Sequence, residues 1–249
     1  MTRIKMIIEY DGSRYHGFQK QQNAHTIQAE LEKQIERLTG EIVHVDSAGR
    51  TDAGVHACGQ VIAFDTAATI PGDRWKLALN TFLPPDIRIL HSTEASANFH
   101  PQFQAVSKRY SYYLYRRKSG EVFHRHYALC TTEPLQVEEM QEACRYIIGR
   151  HNFLAFCARG STAKTFERTV RECCLTSDGP FLRLDIEADG FLYNMVRIVM
   201  GTLLQVGRGK IVTTEIADII QSRDRTRAGP TVPPQGLYLV SVIYPPDVG

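Results

Sequence analysis

Residues 41–66 read EIVHVDSAGRTDAGVHACGQVIAFDT. The two ends, EIVHVD and QVIAFDT, are β-rich runs whose apolar spacing predicts strands. A plain hairpin between them would need about two to five turn residues. The connection instead runs from Ser47 to Gly59 and places Arg50, Asp52 and His56 among small side chains. Reading this stretch as strand, long connection, strand decides the fold, because the neighbouring segments then fall into a recognisable order.

Before it, RIKMIIEY at 3–10 is an apolar strand, and DGSRYHGFQKQQNAH is a polar loop. Thr26 can cap a helix over IQAELEKQIERLTG, with Ile27, Leu31, Ile35 and Leu38 on one face and Gly40 as its stop. After it, Pro71 can open a short helix through DRWKLALNTF, and Pro84-Pro85 forbids its continuation. DIRILHSTEA then reads as a fourth strand. The order is β-α-β-β-α-β, the ferredoxin-like unit.

The rest of the chain reads the same way. KRYSYYLYRR is a strand and EEMQEACRYIIG a helix. VRECCLTS and FLRLDIEA flank the turn Asp178-Gly179-Pro180. FLYNMVRIVMGTLLQVG is a long apolar helix, TTEIADIIQSR a further helix, and GLYLVSVIYP a closing strand. The expected class is α+β. Two ferredoxin-like, RRM-like halves would form a continuous mixed, mainly antiparallel sheet with helices on one side and an active-site cleft between the halves. The expected division is 1–103, carrying the Asp52 loop, and 104–249, carrying a helical insertion.

A chain of 249 residues with 43% hydrophobic and 22% charged side chains can bury a substantial core. No apolar run reaches membrane-helix length. The opening MTRIKMIIEYDG turns polar too early for a secretory leader. The six cysteines form no CxxC pair and no metal-ligand spacing with histidine, which predicts reduced thiols in a cytoplasmic protein without a metal. The net charge of +2 is uneven, since residues 1–103 sum to −2 and residues 104–249 to +4. Lys108, Arg109, Arg116, Arg117, Lys118 and Arg125 crowd one stretch against the single acid Glu121, with five tyrosines interleaved between 110 and 127. Cations for phosphates and rings for bases are what a nucleic-acid surface needs. A solvated edge strand guarded by lysine and arginine would look the same.

Three residues carry candidate chemistry. Asp52 lies in a loop whose glycines, Gly49 and Gly54, permit unusual backbone angles and close approach of a ligand. A positioned carboxylate can act as nucleophile or base, although an aspartate that only satisfies its own turn has the same signature. Arg197 stands alone in the apolar 191–207 helix. Its guanidinium must reach water or a carboxylate, and Asp52 is an attractive tertiary partner. Strand alternation puts Tyr110, Tyr112 and Leu114 on one face, and a tyrosine can both stack on a base and bring a hydroxyl to a reacting atom.

Taken together, these stretches resemble the tRNA pseudouridine synthase A family. YDGSRYHGFQKQ, TIQAELE, SAGRTDAGVHACGQVIAF, LNTFLPPDIRI, NFHPQFQAVSKRYSY, HNFLAF, FLYNMVRIVMGTLLQVGRGK and AGPTVPPQGLYLVSVIY follow in the family's order. The resemblance implies an enzyme that isomerises uridine to pseudouridine in the anticodon stem-loop of tRNA, typically at one or more of positions 38, 39 and 40. It implies that Asp52 is the catalytic aspartate and Arg197 its partner. Tyr110 would pack on the target base, Arg50 would turn that base out of the stack, and Leu237 would floor the pocket. His56 receives no proton-transfer step. A homodimer without cofactor, binding tRNA, is also implied. Lys108, Arg109, Arg116, Arg159 and Lys164 are candidates for phosphate contact. Phe18 stands where the family pattern has tryptophan, and Cys58 and the CARGSTAKTFERT segment depart from it. The rival readings are a non-catalytic RNA-binding protein, a synthase acting on another RNA site, and a hydrolase using Asp52 as base.

Overall fold

The computed structural model describes residues 1–117 and 122–246. Lys118 and Glu121 of the basic stretch therefore lie outside the described residues. The chain is α+β, as expected, and forms two compact units, Met1–Val106 with Tyr238–Gly249, and Ser107–Leu237.

In the first unit, β1 (Thr2–Tyr10) lies between β3 (His56–Thr66) and β4 (Ile87–Ala95), antiparallel to both. Ile4, Met6, Ile8 and Tyr10 are buried along one face of β1, the alternation read from the sequence. The helix α1 (Ile27–Thr39) begins and ends where its caps require. Thr26 accepts a hydrogen bond from the Ala29 amide, and Gly40 takes the left-handed conformation with φ 76°. It buries Ile27, Leu31 and Ile35. The helix α2 is short, Trp75–Asn80, and seats Trp75 against Phe64 edge-on with ring centroids 5.2 Å apart.

EIVHVD departs from expectation. Only Asp46–Ser47 forms a strand, β2, paired antiparallel with β3 at Ala63 and Ile62. Side chains replace the ladder upstream. Val45 N–H donates to the Glu32 carboxylate, and Glu41 accepts from the Thr66 hydroxyl and the Ala67 amide. The Val45 and Ala67 amides are thus satisfied by carboxylates rather than by a strand partner. Asp46 also joins Asp65 and the Phe99 carbonyl around the buried Arg3 guanidinium. The first half therefore keeps its element order, with its second strand reduced to two residues.

In the second unit, β5 (Ser107–Arg116) pairs antiparallel with β9 (Phe181–Ala188). β9 pairs with β8 (Glu167–Asp178), and β8 with β7 (Gly149–Asn152). A short β6 (Leu129–Thr131) runs parallel to β5. The β8–β9 hairpin turns at Asp178-Gly179-Pro180, where Gly179 has φ 54°. The helix α3 (Val137–Arg145) packs against β8 and α4 (Met195–Gly207), and α5 is Glu215–Ser222. The apolar helix thus starts at Met195 rather than Phe191, because Asn194 sits in the left-handed region with φ 60°. β6 and β7 are too short to show a period in the sequence.

The final strand, β10 (Leu237–Ile243), spans the change of unit. From Tyr238 onward it groups with the first unit, where Tyr238 and Leu239 pair parallel with His56 and Ala57.

Candidate active site

The connection before β3 is shorter than its sequence implied, since His56 to Gly59 already belong to the strand. What remains is the loop 48–55. Its entry is held by the Ala48 amide on the Val61 carbonyl at 2.8 Å, and by the Gln60 side-chain amide on the Gly49 carbonyl at 2.7 Å. Its middle lies on the polar segment that follows β1. Phe18 N–H donates to the Thr51 carbonyl at 3.0 Å, Gly54 N–H to the Tyr15 carbonyl at 3.3 Å, and the hydroxyls of Tyr10 and Thr51 meet at 2.8 Å. Burial pushes the Tyr10 phenol up to about 12, against its bonds to Thr51 and Gln60, so it remains a neutral hydrogen-bonding group at physiological pH.

Two glycines make this docking possible. Gly54 takes φ 76°, while Gly49 has no left-handed backbone. Gly17 has φ 89°, and a β-carbon there would lie 2.7 Å from the Thr51 carbonyl oxygen. Gly17→Ala combines left-handed strain with a backbone clash and is expected to cost about 2–4 kcal/mol of stability. Chemical denaturation of the two proteins measures it.

The loop's exit is clamped by His56, which is buried. Gly12 N–H donates to His56 Nδ1 at 3.1 Å, Asp11 Oδ1 lies 3.1 Å from the same nitrogen, and the ring stacks on Tyr238 at 4.7 Å. Sequence reading left His56 without a role, and its surroundings give it a structural one. The pinned loop leaves Asp52 half-buried and Arg50 exposed. A half-buried aspartate on a fixed backbone is a residue that can do nucleophilic or base chemistry.

In the second unit, Tyr110, Tyr112 and Leu114 are all buried, so theirs is the core face of β5. Tyr110 meets Phe191 edge-on at 4.9 Å. The Tyr112 hydroxyl donates to the Pro233 carbonyl at 2.8 Å, and burial raises its phenol pKa against the opposing charge of Arg197. Arg197 is half-buried in the first turn of α4. Its Nε donates to the Val232 carbonyl at 2.7 Å and one terminal nitrogen to Asn194 Oδ1 at 2.6 Å. Asn194 was missed in the sequence, although a polar residue at the head of an apolar helix is a capping signal. It does not cap here. Its side chain turns onto the arginine instead. Leu237 is buried at the start of β10.

The basic candidates separate. Arg109 is engaged by Glu172 and has Glu187 at 3.7 Å. Arg116 donates to Ser177 and to the Gly179 carbonyl. Arg159 and Lys164 are exposed. Lys108 is half-buried beside Arg168. All six cysteines are free. No helix among the described residues is long and apolar enough to cross a membrane.

The family described as tRNA pseudouridine synthase matches residues 6–104 and 143–245. The tRNA pseudouridine synthase A of Syntrophomonas wolfei is 61% identical over 247 residues, 99% of each chain. Those of Acetivibrio thermocellus and Bacillus velezensis are 49% and 45% identical, covering 98% and 97% of this chain and 100% and 99% of their own. Among solved structures, the archaeal box H/ACA sRNP Nop10–Cbf5 complex aligns with a TM-score of 0.38 and 10% identity, over 91% of this chain and 60% of that chain. The family match spans both the Asp52 loop and the α4 helix, and the chain belongs to the tRNA pseudouridine synthase family.

Proposed function

We propose that this isomerase converts uridine to pseudouridine at one or more of positions 38, 39 and 40 of the tRNA anticodon stem-loop, with Asp52 as the nucleophile. The observation that carries the reading is the Asp52 loop, anchored along its backbone with Asp52 half-buried upon it. The carboxylate adds to C6 of the uracil or to C1′ of the ribose. The N1–C1′ bond breaks, the ring turns, and C5 bonds to C1′. The bond to Asp52 breaks as C5 displaces the carboxylate from C1′ or, on the other route, as the carboxylate is eliminated from C6, which returns Asp52 as a free carboxylate. The C5 hydrogen then leaves as a proton and N1 gains one, so nothing is oxidised and no group is carried away.

Arg197 supplies the positive charge that favours the ionised form of Asp52. Tyr110 faces the target base and assists removal of the C5 proton, Leu237 floors the pocket, and Arg50 helps expose the base from its stack. Lys108 and Arg109 serve the RNA backbone, Arg109 after exchanging a carboxylate for a phosphate. The working form is a cytoplasmic homodimer that presents two basic surfaces to one tRNA. Tritium release from C5-labelled uridine in unmodified tRNA transcripts tests the reaction, and transcripts with single uridines replaced in the anticodon arm locate the site. Release that persists after uridines 38, 39 and 40 are all replaced would refute the assignment.

Asn194 enters the same scheme as the residue that holds the Arg197 fork. Asn194→Gly keeps the left-handed backbone and deletes only the amide. It is expected to lower kcat about tenfold, the weight of one charge-assisted hydrogen bond. KM and melting temperature stay close to wild type. Steady-state tritium release with a parallel thermal melt checks both.

A further inference from the structure

Lys108 is a half-buried cation on β5. It lies on β5 two residues before Tyr110 and, by alternation, on the same face, about 7 Å along the strand. Its register partner on β9 is Ala188, whose partner on β8 is Val170. Two residues before Val170, Arg168 occupies β8 opposite His151 of β7. Arg168 also lines Gly190, where a β-carbon would lie 3.2 Å from its Nε. The next residue, Phe191, packs on Tyr110. The fold thus gathers Lys108, Arg168 and the Tyr110–Phe191 pair at one end of β5.

The nearby acids are committed elsewhere. Glu187, on the other face of β9, accepts from the Ser107 hydroxyl and has Arg109 at 3.7 Å. Glu172 is taken by Arg109. Asp189 accepts from the Thr169 amide, and Glu167 pairs with Arg150. Among the described residues no carboxylate pairs with Lys108, and the charge acting on it is that of Arg168. Burial first, and Arg168 second, lower the Lys108 ammonium to about 8. A desolvated ammonium beside a guanidinium is unfavourable in the free protein, and an anion reverses that.

We propose that Lys108 and Arg168 form a phosphate subsite, which grips the RNA backbone phosphate next to the nucleotide whose base faces Tyr110. The inference rests on the reading of Tyr110 given above. It deepens that reading, in which Lys108 serves the RNA backbone, by adding Arg168, by placing the phosphate next to the nucleotide at Tyr110, and by making binding proton-linked. In the free protein the lowered Lys108 pKa favours proton release as pH rises through about 8. A bound phosphate raises that pKa, so complex formation takes up a proton there and weakens as pH rises.

The test measures binding of an unmodified tRNA transcript to the full chain across salt and from pH 7 to 9. Wild type is expected to lose up to about tenfold in affinity over that range, following the Lys108 titration. Lys108→Met is expected to bind about tenfold more weakly at pH 7, with the salt slope reduced by about 0.7–0.9 and the dependence on pH flattened. Lys108→Arg, charged throughout, regains affinity and stays flat. An apolar residue replacing a half-buried cation should not impair folding, and circular dichroism confirms it. Wild-type affinity and salt slope in Lys108→Met at pH 7 would overturn the subsite. Failure of the wild type itself to bind tRNA would instead overturn the reading on which it rests.

Discussion

Asp52→Asn is expected to abolish turnover, by about 10⁴-fold or more, while melting temperature and tRNA affinity stay near wild type. Asparagine has the shape of aspartate but lacks the charge, and a neutral amide cannot add to C6 or C1′. The anchors that hold the loop are spared. They run through the Thr51 carbonyl and hydroxyl, the Gly54 amide, the Asp52 carbonyl that accepts from Val55, and the Gln60 bond to Gly49. These bonds are made by backbone atoms and by the Tyr10, Thr51 and Gln60 side chains, which asparagine leaves in place. Tritium release under single-turnover conditions, with enzyme in excess, isolates the chemical step from product release. Mass spectrometry of the variant guards against deamidation back to aspartate. A variant that retains even a tenth of the wild-type rate would remove Asp52 from the mechanism. Lost tRNA binding would make it a recognition residue, and the same measurement separates the two.

Much of the fold was legible because local chemistry and tertiary pairing agree. β1 alternates as it must, α1 carries its Thr26 cap and Gly40 stop, and the β8–β9 hairpin turns on Gly179. The departures occur where a side chain overrides the backbone pattern. Glu32 takes the Val45 amide, and Glu41 reaches Thr66 and Ala67 at the end of β3 through its side chain rather than through a backbone ladder. Asn194, left-handed and turned onto Arg197, delays α4 by a full turn. The His56 clamp was invisible for another reason. Tyr238 is far from His56 in sequence, and no local period announces that Gly12, Asp11 and Tyr238 converge on one ring. The candidate site divides the same way. Asp52, Tyr110 and Arg197 stand out by type and setting, whereas Asn194 and Arg168 take their meaning from what the fold puts beside them.

Arg197→Met is the second large effect, expected to lower kcat by about 10²–10³-fold, as does removal of a single charge-stabilising donor in other active sites. The stability loss should be smaller, about 1–3 kcal/mol, because two acceptors lose their donor, the Val232 carbonyl and Asn194 Oδ1. The helix itself accepts the change, since Met195, Val196, Ile198, Val199 and Met200 around the position are already buried in apolar surroundings. Arg197→Lys separates charge from geometry. A lysine keeps the charge but has no fork to reach Val232 and Asn194 together while presenting a further donor. If charge alone sustains the Asp52 carboxylate, lysine recovers most of the rate. If the fork aims the charge, lysine is nearly as slow as methionine, and the contacts at 2.7 and 2.6 Å favour that outcome. A double-mutant cycle with Asp52→Asn completes the test. Two residues serving one chemical step give losses far from additive, whereas full additivity would mean that Arg197 shapes the second unit and takes no part in the reaction.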